Sequence, residues 1–222
     1  MRILYHQPLS AACRKVRLVL AEKRLPFELR VEKAWERRPE YLVLNPTGSV
    51  PTLTEDNGLV IPHSGAICEY LDEAYPDICL IGQTLGDRVE IRSMTAWFEE
   101  RFAEDVTRNL VDEKVMKPAA GLGSPDPARL RAGYGALRTH LAYINWLAET
   151  RKWLAGATLS LADFAAAAHL SALDFIGDID WHIAPAAKDW YARMKSRPAF
   201  RGLLSDRVSG FVPPPHYTDL DF

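Results

Sequence analysis

Five short stretches carry residues able to do chemistry or to grip a partner. Ser10 and Cys13 stand in an S-x-x-C arrangement where an apolar helical pattern begins, with Arg14, Lys15 and Arg17 beside them. A helix N-terminus and neighbouring cations lower a thiol pKa, so a reactive Cys13 is one reading and a small core residue the other. Ser10 belongs to the residue types that lead the N-cap ranking and reads as the cap of that helix. The second stretch, N-P-T-G-S-V-P-T-L, sets Val50-Pro51 just before a strand-like Thr52, Leu53, Thr54. Proline cannot donate to a central ladder and often takes the cis form in a tight turn, where backbone is left for a ligand to pair with. Third, His63-Ser64 precede G-A-I-C-E-Y-L. Ser64 is placed to cap a helix over 65–74, and N–H groups at such a helix start favour an anion such as a peptide carboxylate. The expected result is a cleft suited to a small acidic peptide.

The other two stretches point outward. Trp35 lies in E-K-A-W-E-R-R, and tryptophan and arginine dominate interface hot spots, so Trp35, Arg37 and Arg38 form a candidate docking patch. The alternative is a loop tryptophan folded over its own domain. The tail from residue 211 carries Pro213-Pro214-Pro215 and then H-Y-T-D-L-D-F. A polyproline spacer advances about 3.1 Å per residue, enough to project the last seven residues clear of the body. In that reading Tyr217, Leu220 and Phe222 supply contact area while Asp219 and Asp221 supply specificity. The other reading packs the tail across the chain's own helical domain or a dimer seam.

Composition narrows the function classes. With 222 residues, 48% hydrophobic and 25% charged, the chain is an ordinary globular one, large enough for two modest cores. Its 27 basic and 29 acidic residues nearly balance, and no aromatic-basic interleaving or zinc-like Cys/His spacing occurs, so neither nucleic acid nor a metal is expected. Three scattered cysteines argue against a disulfide framework and for a reducing compartment, the cytoplasm by default. No targeting segment or membrane insertion is expected, because the most apolar later stretch, 161–173, is short and interrupted by Asp163 and His169. His169, in an alanine-rich helix, reads as a hydrogen-bonded core residue.

The elements that must position these residues follow from periodicity. Strands are predicted over 2–6 and 27–31, with a hairpin of 52–54 and 59–61 across Asp56-Asn57-Gly58. Helices are predicted over 13–23 and 65–74, the second ending before Pro76. Helical spacing then runs from 87 to 117 and from 128 to 151, separated by a Gly/Pro loop. A buried helix over 161–176 opens on Ser160 and Asp163 in capping-box spacing, a cap whose loss is expected to cost about 1 kcal/mol. Shorter helices are predicted around 185–195 and 198–204. The expected organisation is an α/β thioredoxin-like domain over 1–78, a linker over 79–86, an all-α domain over 87–205 and a tail over 206–222.

This order of parts, with S-A-A-C-R-K-V-R-L, N-P-x-G-x-V-P-x-L, H-S-G-A-I-C-E-Y-L and G-A-T-L-S-L-A-D-F, resembles the glutathione transferase superfamily over about residues 1–205. More narrowly, L-Y-H-x-P-L-S, K-A-W-E-R-R-P-E-Y-L and the terminal H-Y-T-D-L-D-F resemble a branch of bacterial glutathione-transferase-like proteins that bind the division tubulin FtsZ. The resemblance implies a homodimeric, non-catalytic cell-division regulator at the division site. It would bind FtsZ filaments, modulate their curvature, bundling and constriction, and meet further division proteins.

The alternative that the superfamily implies is a glutathione S-transferase. In it Ser10 would donate a hydrogen bond to the glutathione thiolate and lower its pKa. Tyr5 at the end of the first strand and Cys13 are weaker candidates for that role, with strand packing the rival reading for Tyr5, and a thiol reductase using Cys13 is a third possibility. Val50, Pro51, His63 and Ser64 would hold the peptide. The superfamily usually has an acidic residue before the serine, and His63 stands there. An imidazole is never anionic and cannot replace a carboxylate opposite an ammonium. Losing that charge-assisted hydrogen bond costs about 1.5–3 kcal/mol, roughly one to two orders of magnitude in glutathione affinity.

Overall fold

A computed structural model describes residues 1–220. Strand β1 (Ile3–His6), helix α1 (Ala11–Glu22) and strand β2 (Glu28–Val31) form a crossover that lays β2 parallel to β1. A single helical turn at Ala34–Glu36 and a short helix α2 (Pro39–Leu44) lead to β3 (Thr52–Thr54) and β4 (Val60–Pro62). These two pair as an antiparallel hairpin, β3 lies antiparallel to β1, and the sheet order is β2-β1-β3-β4. Helix α3 (Ser64–Ala74) completes the small mixed-sheet N-terminal domain. The predicted strands and helices occur in the predicted order. The exception is α2, six residues with Pro39 in the first turn and only Tyr41 buried, too short to show an apolar period.

In the helical domain one unbroken path runs from 85 to 119. It comprises α4 (Leu85–Ala96), wider π-type turns at Trp97–Thr107, α5 (Arg108–Val111), a second π-type stretch at Asp112–Met116 and α6 (Lys117–Ala119). Helix α7 (Pro127–Thr150) follows a loop, and α8 (Leu161–Phe175), α9 (Pro185–Lys195) and α10 (Arg201–Leu204) complete the domain. Every residue of α8 is buried, because alanines at 162 and 165–168 let neighbouring helices approach on all sides. Helix α1 packs on α8, so the two domains share one continuous core. Among the described residues, no helix is long and apolar enough to cross a membrane.

The capping box at Ser160 and Asp163 forms as expected, but Asp163 holds more than a cap. Its carboxylate also accepts hydrogen bonds from the Leu154 N–H at 2.9 Å and from the Trp190 indole at 3.0 Å. The expected cost of about 1 kcal/mol is therefore corrected upward, since removing Asp163 strands two buried donors at about 1–3 kcal/mol each. Burial pushes its pKa up to about 6, against the lowering effect of those hydrogen bonds.

Candidate functional site: an inter-domain cleft

Between the two domains lies a cleft of about 410 Å³ whose floor is α1. The N-terminal domain contributes Gln7, Ser10, Lys15, Val50 and Ser64; the helical domain contributes Glu99, Ala103, Thr107, Arg108, Asp112, Met116 and His169. On the helical side the lining positions recur every four or five residues along the π-type stretches and α5, which turns one face of the long helix toward the sheet domain. Structure thus brings Ser10, Val50 and Ser64 together, three of the residues that spacing singled out.

Each is set by local geometry. Ser10 is extended and caps α1, its Oγ accepting from the Cys13 N–H at 3.4 Å. Val50 follows a turn locked by the buried Asn45, whose side-chain amide donates to the Ser49 carbonyl at 2.8 Å while its Oδ1 accepts from the Thr47 N–H at 3.2 Å. Gly48 stands in that turn at φ +72, where a Cβ would be strained and would press on Leu42 and on the Arg37 guanidinium. The Val50–Pro51 peptide is cis, and the Pro51 carbonyl accepts from the His63 N–H at 3.2 Å. His63, not Ser64, is the residue that precedes α3. It sits at φ 67 with its side chain exposed and making no capping bond.

The expected cap at Ser64 is therefore corrected. Ser64 is already helical, and its hydroxyl donates across the cleft to Glu99 Oε1 at 3.1 Å. The same oxygen accepts from Lys15 Nζ, so a buried cation of α1 and a hydroxyl at the start of α3 converge on one carboxylate of the helical domain. Lys15 is only 1% exposed and Glu99 29%, so the cation is sealed beneath a carboxylate that still meets solvent. From the sequence Lys15 stood out only as a cation beside Cys13, and Glu99 not at all. The available signal was three cations, Arg14, Lys15 and Arg17, inside a helix whose residues 13–20 are all buried, which demands internal anions.

Cys13 does not carry the reactive reading. It is fully buried, and burial pushes its thiol up to about 11 despite the Ser10 hydrogen bond, the backbone of Gln7 and the Arg17 charge. Tyr5 packs its ring against Tyr41 at 5.5 Å on the strand, a packing role. His169 is the expected hydrogen-bonded core residue, its Nδ1 2.7 Å from the Thr107 hydroxyl, with its pKa pushed down to about 3 by burial and then by Lys15. Asp112 is held above the usual carboxylate range by burial, with Arg108 pulling the other way.

Trp35 is half-buried rather than exposed, and it walls a second cavity of about 630 Å³ with Met116, Ala120, Leu122 and the cations Arg108, Lys117 and Arg129. This cavity shares Gln7, Arg108, Asp112 and Met116 with the first, so the aromatic-basic segment borders the cleft. Arg37 and Arg38 are exposed, Arg38 paired with the buried Glu32.

At the far end of the chain, the expectation that residues 216–222 project clear of the body is corrected at Tyr217. Its ring is fully buried edge-on to Phe175, its hydroxyl donates to the Leu203 carbonyl at 3.0 Å, and Arg14 Nη1 donates to it at 3.1 Å. Lys195 Nζ reaches the His216 carbonyl at 2.7 Å, and His216 Nε2 lies 3.0 Å from Asp174. The prolines deliver Tyr217 into a slot between α1, α8 and α10, so its area is spent inside the chain. Asp219 and Leu220 emerge exposed beyond it, and Asp221 and Phe222 lie outside the described residues.

Two comparisons of sequence define the class. Residues 4–78 match the glutathione S-transferase N-terminal domain and residues 129–198 the glutathione S-transferase C-terminal domain. The chain belongs to the glutathione S-transferase family. Within it, FtsZ-localized protein A of Caulobacter vibrioides is 48% identical over 224 aligned residues, spanning 100% of this chain and 98% of that protein. Among solved structures, FzlA from C. crescentus superposes with a TM-score of 0.96 at 48% identity, covering 100% of this chain and 99% of that one. A glutathione S-transferase from Rhodospirillum rubrum F11 gives 0.96 at 50% identity with full coverage of both chains.

The cleft's donors and acceptors fit a glutathione molecule poorly. Ser10 is in place, but the exposed His63 offers no anion to an ammonium, and the Ser64 hydroxyl is already engaged by Glu99.

Proposed function

We propose that this chain is a cell-division protein that associates with FtsZ filaments at the division site in the cytoplasm. The observation that carries the reading is the 48% identity to FtsZ-localized protein A across the complete chain, tail included. The chain is read as a non-catalytic adaptor that alters filament curvature or bundling and so bears on constriction. Trp35, which borders the cleft, with the exposed Arg37 and Arg38 that follow it in sequence, is one proposed contact. The other is the end of the tail, Asp219 and Leu220 with Asp221 and Phe222, where Tyr217 acts as the anchor that fixes the point of emergence.

A homodimer is part of the proposal. Support comes from apolar side chains left exposed in the helical domain, Leu85 and Val89 of α4 and Trp146 of α7, the last stacked on Tyr143. The Glu90–Arg151 ion pair ties α4 to the residue that follows α7. A two-fold pair presents each docking surface twice, so weak individual contacts suffice to hold neighbouring filaments. Pelleting with polymerised FtsZ tests the reading: co-sedimentation and altered filaments by electron microscopy are expected, and unchanged filaments with the chain left in the supernatant would overturn it.

One observation favours the rival reading of a transferase: Ser10 lines the cleft, and its Oγ accepts from Cys13, which leaves its O–H proton for a thiolate. Conjugation of glutathione that disappears in Ser10→Ala would establish it.

A further inference from the structure

The cleft contains a finished carboxylate-binding site, and the chain fills it itself. Two donors from separate elements, the Lys15 ammonium on α1 and the Ser64 hydroxyl opening α3, meet on a single oxygen of Glu99. Lys15 is sealed from water, so its charge must be answered by an anion delivered from inside the cleft. Ser64 lends its hydroxyl to the same anion rather than to its own helix. Glu99 comes from the opposite domain and is the more exposed of the charged pair, so it lies on the side from which a ligand enters. Hydroxyl plus buried ammonium converging on a carboxylate is the recognition chemistry of a small acid, here satisfied intramolecularly.

We propose that Glu99 acts as an internal ligand, a tethered carboxylate that occupies the acid-binding position of the cleft and thereby excludes small carboxylate-bearing peptides such as glutathione. Because the tether makes its local concentration high, a free acid must displace it at a disadvantage. Neutralising Glu99 leaves Lys15 without its anion and turns exclusion into binding. Glu99 is thus a specificity-determining residue of the cleft, and the inference stands whether or not the chain meets FtsZ.

Calorimetry with reduced glutathione on the full chain tests this, with glutathione diethyl ester as the carboxylate-free control. Glu99→Gln is expected to bind glutathione at least tenfold more tightly than the unaltered chain, with no such gain for the diester. Glu99→Gln combined with Lys15→Met is expected to lose the gain, because the cation that recognises the acid is gone. Should Glu99→Gln fail to fold, Glu99→Asp, which withdraws the carboxylate by one methylene, carries the same reading with a smaller gain. Equal affinity of the unaltered and Glu99 variants for glutathione, an equal gain for the diester, or a gain that survives Lys15→Met would each overturn the proposal.

Discussion

Two carboxylates hold the three buried cations of α1, and they do so in opposite ways. Asp206 takes two guanidinium groups at once: Arg17 donates to both of its oxygens at 2.8 and 2.7 Å and Arg14 to one at 3.2 Å. Arg14 is then completed by the Pro8 carbonyl, Ser171 and Tyr217, so each of its three nitrogens is engaged. Glu99 takes a single ammonium and shares it with one hydroxyl at the edge of an open cleft. A cation whose donors are saturated by its own chain is structure. A cation answered by one partly exposed carboxylate is a recognition site with a resident occupant. Tail placement depends on the first and ligand selection on the second.

The largest expected effect is Asp206→Ala, which strands two buried guanidinium groups and should cost about 3–5 kcal/mol in denaturant unfolding. A loss below about 1 kcal/mol would show that the two sides of α1 do not differ in kind. Next comes acid. His6, near Arg14 and Arg17, is pushed down to about 4 by burial first and then by Arg17, with Asp206 pulling upward. His169 on the cleft side is pushed down to about 3. Both stay neutral in the fold where the unfolded chain is protonated, so stability is present above pH of about 6.5 and is lost as pH falls through those values. The His6 share is roughly 3 kcal/mol at most. Asp163, raised to about 6, has the opposite sign: its contribution is present below about pH 4 and is lost as pH rises through about 6. Replacing both histidines by glutamine should flatten the acid limb of stability against pH, and an unchanged limb would contradict the burial assigned to them.

Smaller effects sharpen the contrast. Glu99→Gln should cost about 1–3 kcal/mol, less than Asp206→Ala because it leaves one buried cation without its anion rather than two, and added glutathione should restore part of it as a rise in Tm. Tyr217→Phe removes one buried hydroxyl and should cost about 1 kcal/mol, read best as faster proteolysis of the tail rather than as global unfolding.

The sequence carried local order well. N-P-T-G-S-V-P-T-L announced the turn that presents Val50, the Asp56-Asn57-Gly58 hairpin was legible from its turn chemistry, and Ser160 with Asp163 marked the start of the buried helix. Contacts between distant residues were not legible. Lys15 and Glu99 are 84 residues apart, and nothing in W-F-E-E-R distinguishes the glutamate that turns inward from its neighbour. Tyr217 looked like an outward anchor because prolines argue for projection, whereas the slot that receives it is built from α1, α8 and α10 and exists only in three dimensions. The histidine in place of an acid was visible at once; the acid that the other domain supplies, at a different position and to a different partner, was not.

One measurement bears most directly on whether docking rather than cleft chemistry defines this protein: pelleting of the intact chain with FtsZ polymer, repeated for Ser10→Ala and in saturating glutathione. The expected result is co-sedimentation that neither change reduces. Absence of the chain from the polymer pellet, or loss of co-sedimentation in Ser10→Ala, would contradict it.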